Sequence, residues 1–226
     1  MKRFWSEVTV GPDRVVLLDR RPVRTPGRAP LALPTAALAD AVAGEWRRVE
    51  GEIDPRAMPL TGLANTAIDR IAVDPRAFAA GLSAYGESDL LCYRAGEPDE
   101  LAARQAAAWD PWIEWARARY DVHLEATAGL VHHPQPAATV TRLAGAVAAL
   151  DPFRLAGLSP IVTITGSLVL GLALVERAGD PDTLWRAGRI DEDWQVERWG
   201  EDALAAAAAA ARRRDFDAGV GFLAAL

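Results

Sequence analysis

From residue 54 onward the chain is punctuated by Asp-Pro pairs: Asp54-Pro55, Asp74-Pro75, Asp110-Pro111 and Asp151-Pro152, with Pro181 in "GDPDTLW" able to play the same part. Aspartate accepts from the free N–H groups that open a helix. Proline is tolerated at the first helical position because its missing N–H has no partner there anyway. A chain marked in this way is a succession of helices with defined starts. At Asp110 the pair interrupts "ELAARQAAAWDPWIEWARARY", which predicts that one helix stops or kinks there and another begins.

The first fifty residues follow another rule. "VTVGPDRVVLLDRRPVRTP" holds two short β-branched runs, punctuated by turns at Gly11-Pro12-Asp13 and Asp19-Arg20-Arg21-Pro22. It predicts a small antiparallel sheet. Thr35 then caps a helix whose apolar positions include Leu38, Val42 and Trp46, and Gly51 ends it. The expected fold class is α+β: a β-rich N-terminal region with one helix over residues 1–51, then a larger, mostly helical domain over 52–226. Two stretches interrupt the helical part. "ESDLLCYRAGEP" reads as short, apolar and extended, and "HLEATAGLVHHPQP" as a loop with one strand.

The longest apolar run, Ile161 to Val175, contains Thr, Ser and Gly and falls short of the ~20 residues of a membrane span. It predicts a buried core helix and no membrane insertion. The net charge of −6 gives no pull toward nucleic acid. One cysteine, Cys92, excludes an internal disulfide and fits a reducing compartment.

The chemistry of catalysis is missing. There is no Cys pair for zinc, and the adjacent His132 and His133 cannot easily share a metal. "GSLVLGL" lacks the Lys-Ser/Thr of a phosphate loop, and there is no GxGxxG after a strand and no GxSxG elbow. Cys92 sits in "LLCYR" among apolar neighbours and reads as an inert buried thiol. No metal, no cofactor and no enzymatic activity are expected.

What remains is "RIDEDWQVERWGEDALAAAAAAARRRD", from Arg189. At 100° per residue, Val196, Trp199 and Ala203 share one side, the expected core face. Asp193, Glu197 and Glu201 follow at i, i+4 and i+8, where like charges destabilise a helix by roughly 0.2–0.5 kcal/mol per pair. Trp194 lies beside that acidic row, away from the core face. The acids could be a plain solvated face, with Trp194 covered by another helix. The alternative is a binding surface, since Trp and Arg are enriched at interface hot spots and charge steers a partner.

Five stretches carry a resemblance: "MPLTGLANTAIDR" (58–70), "YGESDLLCYRA" (85–95), "WDPWIEWA" (109–116), "TGSLVLGLAL" (165–174) and "DEDWQVERWGED" (191–202). Together with the opening "RFWSEVTV", and in this order over nearly the whole chain, they resemble the assembly chaperone for the alpha subunit of the F-type ATP synthase, a family of mitochondria and alphaproteobacteria. The resemblance implies an N-terminal β-rich part, a larger helical part, and no catalysis or cofactor. Its implied partner is the free alpha subunit, held until the beta subunit displaces it. The functionally important acid of that family lies in or just after the WG motif, which matches Glu201 and Asp202 here. Members often carry a further acid one or two positions on, where this chain has Ala203 and Leu204, so Glu197 stays a candidate. The expected partner-binding set is Glu201, Asp202, Glu197, Trp194 and Asp193. Asn65, Asp69, Arg70, Asp89 and Arg94, inside the other motifs, are expected to cap helices or pair internally.

The free chaperone is expected to be monomeric. Because the start shows no transit segment, the expected location is the bacterial cytoplasm, with the mitochondrial matrix for organellar members. Two rivals stand beside this reading. One is a small carboxylate-dependent hydrolase or transferase with its site between the two regions. The other is a stable subunit of a larger complex, with a wide apolar partner surface.

Overall fold

A computed structural model describes residues 2–129 and 131–226. In chain order the strands are β1 (Val8–Val10), β2 (Val16–Leu18), β3 (Arg21–Pro22), β4 (Tyr93–Arg94) and β5 (Thr127–Ala128). The helices are α1 (Ala36–Arg47), α2 (Pro59–Asp69), α3 (Pro75–Ser83), α4 (Asp99–Tyr120), α5 (Ala137–Ala148), α6 (Pro152–Thr165), α7 (Leu168–Val175), α8 (Pro181–Ala187), α9 (Ile190–Trp199) and α10 (Ala203–Ala224). The fold is α+β, a small antiparallel sheet followed by helices, as expected. Packing groups the chain into two compact units. One comprises Met1–Pro75, Asp151–Gly157 and Asp217–Leu226, the other Arg76–Leu150 and Leu158–Phe216. The division at residue 51 follows composition, whereas these units follow internal packing, and α2 belongs to the first.

In the first unit β1, β2 and β3 form an antiparallel meander with Val8 opposite Leu18 and Leu17 opposite Pro22. Alternation turns Val16 and Leu18 inward, where Leu31, Leu33 and Leu38 are also fully or nearly fully buried. Thr35 caps α1 by accepting from the Leu38 N–H at 3.1 Å. The start of α2 has no cap of its own. The buried carboxylate of Glu45, on α1, supplies one: it accepts from the Leu60 N–H at 2.8 Å and from the Thr61 N–H and hydroxyl, both at 2.7 Å. Glu45→Ala leaves these donors without acceptors. It is expected to cost roughly 2–4 kcal/mol, read as a lower urea midpoint at unchanged slope. The Asp69 carboxylate ties α2 to the loop after β3, accepting from the Thr25 hydroxyl at 2.6 Å and the Gly27 N–H at 2.7 Å.

In the second unit α4, α7 and α8 surround a core containing Trp109, Leu143, Ile161, Leu184 and Phe216. The Trp109 indole N–H donates to the Ala187 carbonyl at 2.7 Å. Two expectations fail here. Helix α4 runs through Asp110-Pro111 without ending, because Trp109 and Ile113 on either side are both buried and tertiary packing outweighs the lost N–H. Asp110 is used instead by Arg94, at 2.6 Å. The run from Ile161 to Val175 is mostly buried, as expected, yet it makes two helices. Gly166, at φ +68°, turns the chain between them, and Ser167 caps α7 by accepting from Leu170. The stretch around Cys92 is extended only at β4, which pairs in parallel with β5. No helix among the described residues is long and apolar enough to cross a membrane.

Candidate functional site

Helix α9 opens with Asp191, Glu192 and Asp193, acids suited to the positive end of a helix dipole. It ends at Gly200, whose φ of +85° and ψ of 167° are essentially reserved for glycine. After this bend Asp202 starts a new helix, its carboxylate accepting from the Ala205 N–H at 2.9 Å. The acidic stretch is therefore an elbow rather than one helix. Asp193 and Glu197 share α9, while Glu201 lies past the bend and Asp202 caps α10.

The faces of α9 are the reverse of the helical-wheel reading. Trp194 is 6 % exposed, whereas Trp199 is 78 % exposed, Val196 38 % and Leu204 82 %. The wheel fails because Ala203, counted on the core side, belongs to the next helix, and because two arginines from outside the apolar pattern of α9 stack on Trp194. The guanidiniums of Arg104 and Arg198 lie over its ring, at 4.7 and 4.3 Å from the centroid. Arg104 also pairs with Glu197 at 2.6 Å and Glu100 at 3.1 Å, and Arg198 with Glu100 at 2.7 Å. These exposed pairs add little stability individually, but as a network around one ring they fix α9 on α4. Gln105, buried on α4, completes the attachment by donating to Asp191 at 2.6 Å.

Each expected site residue can now be located. Trp194 is held inside this clamp, Glu197 is paired within it, and Asp193 pairs with Arg189 at 3.1 Å. Asp202 is exposed although it caps α10, and Glu201 is exposed with no ion-pair partner among the described residues. The exposed ring the sequence reading missed is Trp199. Its signal was Gly200, the residue that ends α9 one position later.

A cavity of about 420 Å³ opens beside α9. Its walls include Tyr93, Pro98, Leu101, Trp194 and Trp199, and Gln105 lies among them.

The titratable groups displaced by burial serve the fold. Cys92 is buried, and desolvation, with the nearby Asp89 charge, pushes its thiol up to about 12, leaving it protonated and unreactive. Asp89 is wholly buried against backbone N–H groups. The neighbouring histidines part company: His132 meets the Tyr93 hydroxyl at 3.2 Å and His133 the Glu125 carboxylate at 3.1 Å. Among the described residues no group of three or more His, Cys, Asp or Glu side chains is arranged for a metal ion.

Residues 2–117 match the model of a family described as ATP12 chaperone protein. The crystal structure of Atp12 from Paracoccus denitrificans is similar at a TM-score of 0.94 and 45 % identity, over 99 % of this chain and 97 % of that one. A solved protein from Agrobacterium tumefaciens matches at a TM-score of 0.94 and 38 % identity, over 99 % of this chain and 85 % of that one. The mitochondrial protein atp12 of Schizosaccharomyces pombe is 22 % identical over 219 residues, covering 89 % of this chain and 75 % of its own length. With a family match over half of its residues and a solved relative aligned along nearly all of it, the chain belongs to the ATP12 chaperone family, the ATP synthase assembly chaperones that its motifs resemble.

Proposed function

We propose that this chaperone holds the free alpha subunit of the F-type ATP synthase head at the α9–α10 elbow and shields its subunit interface until the beta subunit displaces it. One observation carries the reading. Trp199 and Leu204, both largely exposed, flank a bend that also bears the carboxylates of Glu201 and Asp202. A subunit made for a ring exposes apolar faces while alone, and such faces aggregate unless covered. A reversible cover needs exposed apolar groups for contact and charges to set encounter and register, and the elbow offers both. Glu201 and Asp202 lead, with Glu197 and Asp193 along the flank and Trp194 as the buried support that keeps the flank in place. Because a competing subunit displaces the chaperone, release needs no nucleotide turnover by this chain.

All of these residues lie within 52–226, the part we propose as the client-binding domain, with 1–51 as its β-rich companion. We place the protein as a monomer in the bacterial cytoplasm, or in the mitochondrial matrix for organellar relatives. The test is co-purification with alpha and beta subunits expressed separately. Capture of alpha alone is expected; indifference to both subunits, or equal capture of both, overturns the proposal.

A further inference from the structure

We propose that the cavity beside α9 receives one large apolar side chain of the client, and that acids at its edge select a basic residue within a helical turn of it. This rests on the client-binding reading above and adds the chemistry of the segment that is bound.

The volume, about 420 Å³, lies in the range of pockets that bury a compact ligand. Its walls are mostly apolar: Pro98 and Leu101 from the start of α4, and the rings of Tyr93, Trp194 and Trp199. Two side-chain amides, Gln105 and Gln195, also line it, and Gln105 is already engaged. The Gln105 side-chain oxygen accepts from the Ala95 N–H at 2.7 Å, and its nitrogen donates to Asp191 at 2.6 Å. Such a lining, apolar over most of its wall, rewards an apolar occupant.

The charges point to what flanks that occupant. Glu97 and Asp191 both line the cavity. Arg94, the cation among the lining residues, pairs through one terminal nitrogen with Asp110 at 2.6 Å and lies over the Trp109 ring at 5.0 Å, while its Nε and Nη1 are buried without a hydrogen-bond partner. The edge is thus left with a net negative charge, and Glu201 lies two residues beyond the Trp199 wall. Phosphate-bearing ligands and anionic lipid surfaces are disfavoured by this sign, whereas a lysine or arginine beside the anchoring side chain is favoured. The site is also pre-organised. Trp194 is held by Arg104 and Arg198, so little ordering is needed when the client arrives. Two stretches singled out by their sequence, 85–95 and 191–202, meet at this one cavity.

The experiment uses the full chain co-expressed with the alpha subunit. A photoreactive phenylalanine analogue in place of Glu97, at the edge, is crosslinked and the attached peptide sequenced. The expected product is an alpha-subunit peptide with a large apolar residue and a Lys or Arg within about four positions of it. A crosslink to a second copy of this chain, or to a client peptide lacking a basic residue, overturns the proposal. Separately, Leu101→Trp fills the cavity and is expected to weaken alpha capture roughly tenfold at unchanged melting temperature. Should that variant fold poorly, Glu97→Lys, on the exposed loop before α4, serves in its place and is expected to weaken capture most at low salt. If the wild type captures alpha and the well-folded variants capture it equally well, the cavity proposal falls while the client reading stands. If the wild type captures no alpha subunit, the client reading itself has failed.

Discussion

Replacing Asp89 by alanine is expected to lower the melting temperature by roughly 6–12 °C, the equivalent of about 3 kcal/mol in a chain of this size. Asp89 is fully buried, and its two oxygens close the starts of two elements. One accepts from the Leu91 N–H at 3.1 Å, and the other accepts from the Val169 N–H at 3.0 Å at the opening of α7. The Ser167 hydroxyl and the Leu168 N–H also bond to this carboxylate. Alanine leaves all of these donors dry and unpaired, at about 1–3 kcal/mol each, offset in part by removal of a buried charge.

The same residue has a pH signature. Desolvation lifts its carboxyl from an ordinary 3.8 to about 6, against the opposing pull of the hydrogen bonds from Val169, Ser167 and Leu91. Between pH 3.8 and about 6 the folded chain therefore keeps a proton that the unfolded chain has lost. The contribution of Asp89 to stability is fully present at low pH. It declines as pH rises through that window, by roughly 3 kcal/mol in all, and is flat above it. Asp89→Asn cannot titrate and keeps one of the two acceptors. Its stability deficit relative to the wild type should shrink between pH 4 and pH 7, measured as the difference in urea midpoints of the pair. A deficit independent of pH would mean that Asp89 keeps an ordinary pKa in the folded state.

Much of the fold was legible because the signals were local. Asp54, Asp151 and Asp180 each accept from a backbone N–H just beyond the following proline, as an Asp-Pro pair predicts. The turns at Gly11 and Asp19 delimit the meander. The expectation that Asp69, Asp89 and Arg94 cap or pair internally also agrees with the structure: Asp69 with Thr25 and Gly27, Asp89 with α7, Arg94 with Asp110. What was not legible depends on neighbours distant in sequence. Glu45 looks like one more acid on a surface helix until α2, lacking a cap, is packed against it. Asp110 looks like a helix start until Trp109 and Ile113 are both buried. The phase of α9 was misjudged for a similar reason. A tryptophan covered by two arginines has no apolar pattern in its own segment, because Arg104 comes from a helix ninety residues earlier. The acidic stretch stands out in the sequence; which of its rings faces outward does not.

That reversal leads to the prediction with the largest expected effect on client binding. Trp199→Ala should weaken capture of the alpha subunit by roughly ten- to a hundredfold, as loss of an interface tryptophan commonly does. The melting temperature should move by no more than about 2 °C, because the ring is mostly in solvent already. Trp194→Ala should show the opposite balance. It removes a buried ring together with two cation–π contacts, so it costs roughly 3 kcal/mol of stability and disturbs binding only through the loosened helix. The acids separate in a similar manner. Glu201→Lys removes no cap and no ion pair among the described residues, so a loss of capture that is largest at low salt reports on the client alone. Asp202→Lys does two things at once, since it also uncaps α10 at about 1 kcal/mol. Asp202→Asn resolves the two, because asparagine caps a helix as well as aspartate does but carries no charge. Weakened capture by Asp202→Asn at wild-type stability assigns the carboxylate to the client. Full capture by that variant and by Glu201→Lys, with Trp199→Ala also unimpaired, would remove the elbow as the docking surface.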